Sequence, residues 1–181
     1  MMRPMGLLVA VVGPSGVGKD SLIAGMVAAR PDLTWVRRAV TRAPCGTEPF
    51  ESVSEAEFAR RREGGGFCLH WDAHGLSYGV PKETADAVCA GAIHVANLSR
   101  GILLQADARV PLRVLSVSAR PETLARRLAG RGREGKAEII ARLRRRALLP
   151  PGLDVVAIDN DGTLEQAIAA ALAALPQPVR G

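Results

Sequence analysis

Apolar residues fill every position from Leu7 to Val12, six in a row. An unbroken run of that length reads as a strand buried on both faces. The apolar spacing then becomes helical, with Leu22, Ile23, Met26 and Val27, which predicts a helix from Lys19 to about Ala29, broken at Pro31-Asp32. Leu33 to Val40 alternates loosely and reads as a second strand ending in Thr41-Arg42, followed by a Pro- and Gly-containing loop over 43–49. Ser54 and Glu57 have capping-box spacing and open a short helix with Phe58 inward, and Gly64-Gly65-Gly66 breaks it. Phe67–Asp72 and Gly75–Val80 read as a strand, a turn and a returning strand, and Pro81 starts a helix to Ala90. Further strands are expected at 92–97, 112–118 and 155–158, and helices at 101–108, from Pro121, at 137–149 and at about 164–175. The glycines of 130–135 interrupt the helix that Pro121 begins, and 176–181 reads as a frayed tail. Strands alternating with helices predict an α/β fold with a mainly parallel sheet flanked by helices. Residues 42–90 are expected to form a small insertion beside it.

Between the first strand and helix lies Gly13-Pro14-Ser15-Gly16-Val17-Gly18-Lys19-Asp20-Ser21. Strand, glycine-rich loop and helix are the context that a phosphate-binding P-loop needs. Glycines let successive N–H groups face one anion, the helix N-terminus adds partial positive charge, and Lys19 adds a full one for the β/γ-phosphates of a nucleotide. One position departs from the pattern. The residue after the lysine is normally a Ser or Thr that ligates Mg²⁺; here it is Asp20, with Ser21 one place late. Asp20 either holds Mg²⁺, directly or through water, or only favours the first helical turn.

Composition narrows the class. With 181 residues, 48% hydrophobic and 23% charged, the chain can bury one sizeable core as a single domain. Net charge is +6, but aromatics are 3%, too few for stacking platforms on nucleic acid. A basic surface suits nucleic acid, a membrane or small phosphorylated ligands, and the arginines near 126–146, in a helical segment rather than a tail, favour phosphate ligands or a solvated face. Cys45, Cys68 and Cys89 show no metal or redox spacing and fit a reducing cytoplasm. The N-terminal apolar run leads straight into the loop, so it reads as core rather than signal peptide, and no membrane span is expected.

The remaining motifs point further. Thr41-Arg42-x-Pro44-x-Gly46-x-Glu48 with Tyr78-Gly79 resembles the acceptor-binding region of guanylate kinases. Arg127-Leu128-x-x-Arg131-Gly132-Arg133-Glu134, followed by Arg142, resembles that family's arginine-bearing lid, and Asn160-Asp161 its segment near the adenine. The resemblance spans about residues 7–172 and implies a guanylate-kinase-like P-loop fold: a core of about 5–41, 91–125 and 150–175, an acceptor-binding region of about 42–90 and an arginine-rich lid of about 126–149. Departures are as telling. Cys45 replaces a second arginine, His70 stands where a guanine-reading acid is expected before Trp71, a tyrosine of the Gly-Glu loop is missing, and Asn97, Ser99 and Arg100 replace aspartates. Losing base-reading groups fits an acceptor without a base. The P-loop with Asp20, Trp71-x-Ala73-x-Gly75-Leu76-x-Tyr78-Gly79-Val80 and Asn97-x-Ser99-Arg100 are similar to the ribose 1,5-bisphosphate phosphokinases of phosphonate breakdown.

That resemblance implies transfer of the γ-phosphoryl group of ATP to ribose 1,5-bisphosphate, giving 5-phosphoribosyl 1-diphosphate in the cytoplasm. Gly13 to Ser21 and Asn160 would hold ATP, with Asp20 or Ser21 near Mg²⁺. Lys19, Arg131, Arg133 and Arg142 would stabilise the transferring group, and Arg42, Glu48, Tyr78, Asn97 and Arg100 would bind the acceptor. Glu48 would either touch substrate or orient Arg42. Arg126, Arg127 and Arg144 to Arg146 read as a solvated helix face, and Trp71 as core. His70 and His74 lack a third ligand with metal spacing. No nucleic-acid or membrane partner is implied, and a homodimer is compatible with this reading. Competing readings are a guanylate or other nucleoside monophosphate kinase, a non-enzymatic guanylate-kinase-like binding module, and nucleic-acid binding by the basic helix at 137–149.

Overall fold

The computed structural model describes residues 5–44, 48–130 and 148–178. The apolar run forms β1 (Leu7–Val12), the middle strand of a five-stranded, all-parallel sheet. Its side chains alternate between two cores. Leu8, Ala10 and Val12 enter one core, and Val9 and Val11 the other. This two-sided burial is why the run carries no polar residue. β7 (Ile93–Asn97) and β8 (Leu112–Ser118) flank β1, with β2 (Leu33–Trp35) and β9 (Val155–Asp159) outside them. Helix α1 (Lys19–Ala29) and helix α6 (Leu164–Ala173), the latter opened by a complete capping box at Thr163 and Gln166, pack on the core of Val9. On the core of Leu8 pack α3 (Lys82–Cys89) through Val88 and α4 (Leu103–Asp107) through Leu103 and Ala106.

A second, four-stranded sheet lies beside the first. It contains β3 (Ala39–Val40), β4 (Glu51–Ser52), β5 (Phe67–Ala73) and β6 (Leu76–Pro81) in the order β4-β3-β6-β5. Helix α2 (Glu55–Glu63), N-capped by the Ser54 hydroxyl, supports it through Phe58, whose ring centroid lies 4.7 Å from that of Phe67. The structure differs from the expected elements at three places. Leu33–Val40 is not one strand: Val36 still donates to Val95 O (2.8 Å) at the edge of the first sheet, while Arg38 O accepts from Glu51 N (2.8 Å) in the second. The chain changes sheets within three residues. Glu51–Ser52 forms a strand although two residues carry no readable alternation. The helix expected at 101–108 begins as a 3₁₀ turn over Arg100–Ile102. The helix expected at 137–149 lies, but for its last residues, outside the described residues.

Candidate active site

In parallel sheets, ligands gather at the carboxyl ends of strands, where neighbouring connections diverge. Here β1 ends in the glycine-rich loop, β7 at Asn97, and β9 one residue before Asn160. The pairs Val11↔Asn97 and Ser118↔Asp159 set these ends. The connection after β2 then delivers Arg38.

The loop turns into α1 through Gly18, at φ +90°, where a Cβ would lie 2.8 Å from Asn160 Nδ2. Only glycine combines that conformation with such an approach. Asn160 is buried and donates to Val17 O at 2.7 Å. Arg127, on α5 (Pro121–Ala129), donates to Asn160 O at 3.0 Å and to Val17 O at 3.5 Å. Arg127 is thus half-buried and braces the loop, which corrects its expected place on a solvated face. Its spacing from Leu124 and Leu128 on one helix face carried the signal.

Lys19 is folded into its own loop, donating to Gly13 O (2.7 Å) and Pro14 O (3.3 Å). Burial pushes its pKa below the usual lysine range. The Asp20 carboxylate opposes that shift, Arg100 and Arg38 add to it, and Glu48 opposes it. These four charges from four segments therefore share the electrostatic surroundings of one ammonium. Asp20 is half-buried and receives a long contact from Asn97 Nδ2 (3.5 Å), whereas Ser21 is exposed. Mg²⁺ needs few protein ligands when phosphates and water supply the rest, so an Asp20 carboxylate beside Lys19 fits such an ion. Among the described residues there is no cluster of three or more His, Cys, Asp or Glu able to hold a metal by itself.

The residues expected to bind an acceptor lie in different surroundings. Arg42 lies over the Phe50 ring at 4.6 Å, with its Nε buried and unpartnered among the described residues. The expectation that Glu48 orients Arg42 is corrected: Glu48 Oε1 accepts from Nε (3.0 Å) and Nη2 of Arg38. Sequence reasoning missed Arg38, although Val36, Arg38 and Val40 alternate and Arg38 is only 6% exposed. Its guanidinium carbon lies 5.1 Å from the Tyr78 ring centroid and 6.0 Å from that of Trp71. Those two rings stack at 5.4 Å and 8°, so Trp71 is a stacking surface as well as a core contact. His70 is exposed and, as the neighbour of Trp71 in a strand, points to the other face. On the Trp71 face the neighbouring pair is Leu69–Val80, both buried and apolar. Arg131, Arg133, Arg142 and Cys45 lie outside the described residues.

The loop, its lysine and the adjoining second sheet define a P-loop kinase. Guanylate kinase from Anaplasma phagocytophilum shares this fold, with a TM-score of 0.67 at 20% identity over 96% of this chain and 88% of that one. No protein-family model matches the sequence. The chain is 53% identical over 173 residues to the ribose 1,5-bisphosphate phosphokinase PhnN of Ruegeria sp., covering 93% of this chain and 90% of that protein. It is 49% identical over 165 residues to the protein of that name from Brucella melitensis, covering 88% and 86%. The chain belongs to the ribose 1,5-bisphosphate phosphokinase family.

Proposed function

We propose that this protein transfers the γ-phosphoryl group of ATP to the 1-phosphate of ribose 1,5-bisphosphate, releasing ADP and 5-phosphoribosyl 1-diphosphate. The relatedness over 93% of the chain carries this reading. The second sheet supports it: the residue before Trp71 is His70, which is exposed on the opposite face of its strand, so among the described residues no carboxylate stands at that position to read a base edge.

Phosphoryl transfer asks mainly for position and charge. The N–H groups of residues 13–19 cradle the donor phosphates, and the Lys19 ammonium exchanges its carbonyl partners for β/γ oxygens. Asn160 and Arg127 keep Val17 and its neighbours in the cradle shape. Mg²⁺, held near Asp20, would offset the polyphosphate charge. Arg42, Arg100, Tyr78 and Asn97 bind the acceptor, and Arg131, Arg133 and Arg142 stabilise the transferring group. A 1-phosphate oxygen forms the new bond to phosphorus while the β–γ bridging oxygen leaves with ADP. The attacking oxygen is already anionic at neutral pH, so no side chain need act as general base.

The test is ADP release from Mg-ATP with ribose 1,5-bisphosphate and GMP assayed in parallel, with the sugar product identified by phosphorus NMR. Turnover with the sugar bisphosphate alone is expected. Turnover with GMP alone would replace this reading with a guanylate kinase.

A further inference from the structure

A buried arginine needs a reason, because desolvating its charge is costly unless it is paired. Glu48 supplies the pairing for Arg38, and the two side chains are 7% and 10% exposed. The geometry of the pair is one-sided. Nε and Nη2 of Arg38 both donate to the single Oε1 of Glu48, and among the described residues Nη1 takes no partner. The guanidinium also lies over the Tyr78 ring, which limits how it can tilt. The pair also belongs to the charges around the nucleotide-loop lysine, Arg38 lowering and Glu48 raising the pKa that burial depresses.

We propose that Arg38 binds a phosphate group of the acceptor, an inference that rests on the function proposed above. Glu48 and Tyr78 hold the guanidinium in place, and its outer edge meets phosphate oxygens, for which the planar fork is suited.

Two variants separate this role from a merely structural one. Arg38→Gln should raise the KM for ribose 1,5-bisphosphate roughly 10- to 100-fold, the range expected for a lost hydrogen bond to a charged group, with the KM for ATP unmoved. It also strands the Glu48 carboxylate and lowers the melting temperature. The double variant Arg38→Gln/Glu48→Gln removes both charges together, so its melting temperature should recover while the acceptor KM stays raised. If the acceptor KM recovers along with the melting temperature, Arg38 is a structural residue and the proposal fails. An unmoved acceptor KM in both variants would also overturn it. Arg38→Lys keeps the buried charge but lacks the fork, and should give an intermediate KM; a KM equal to that of the native protein would contradict phosphate binding by the fork. If the native protein itself turns over no ribose 1,5-bisphosphate, the function reading fails, and this inference with it.

Discussion

The two sheets build their parts of the site by different means. The parallel sheet works through backbone: Gly16 and Gly18 lie at positive φ, the helix N-terminus faces the loop, and carbonyls hold Lys19. The mixed sheet works through side chains, with Arg38, Arg42, Glu48, Trp71 and Tyr78 defining its face. A backbone cradle recognises any polyphosphate, which every nucleotide donor presents. A side-chain face discriminates. Donor binding should therefore be robust to changes in the second sheet, and acceptor choice robust to changes in the loop.

The largest test of that separation is Lys19→Ala. It should lower kcat by about 10²–10³-fold, as expected for removing a preorganised charge from a transition state, while calorimetric binding of the acceptor persists. Loss of acceptor binding as well would show that the two halves are not separable. Arg42→Ala comes next, with an acceptor KM raised about 10- to 100-fold and an unchanged ATP KM in steady-state kinetics. A matching rise in the ATP KM would break the comparison. Asn160→Ala strips Val17 O of a buried partner; about 1–2 kcal/mol is at stake, so the ATP KM should rise about tenfold or somewhat more, with the acceptor KM constant.

The smallest effect is in protons. Burial holds the Lys19 pKa below the ordinary lysine value, so between the two values the folded protein binds fewer protons than the unfolded chain. Stability therefore rises with pH across that alkaline window. A polyphosphate beside Lys19 favours its charged form, so nucleotide binding takes up protons there and weakens as pH rises. Calorimetry in two buffers of different ionisation enthalpy measures this uptake, and its absence would mean that the ammonium does not meet the phosphates.

The same contrast explains what could be read in advance. Strand, glycines, lysine and helix are contiguous from Leu7 to Ala29, so the nucleotide loop was legible from local pattern alone. The pairing of Arg38 with Glu48 spans ten residues and its stacking on Tyr78 spans forty, and nothing local marks either partner. The split of 33–40 between two sheets was hidden because alternation continues through the joint, with Val36, Arg38 and Val40 all inward. That Trp71 rather than His70 shares a face with Tyr78 follows from the pairing of β5 with β6, and such register is not visible in one strand.

The chain leaves the first sheet after β2 and re-enters it at β7, and those strands are hydrogen-bonded neighbours paired from Leu33↔Ile93 to Trp35↔Val95. More than fifty residues thus depart from and return to a single gap in an otherwise uninterrupted scaffold. The excursion is nevertheless tied to that scaffold, because Val36, Leu69, Val80 and Val88 share the core of Leu8, Ala10 and Val12. Its outer loops are free to change in length, while its inward-facing positions are fixed by the strands they cover.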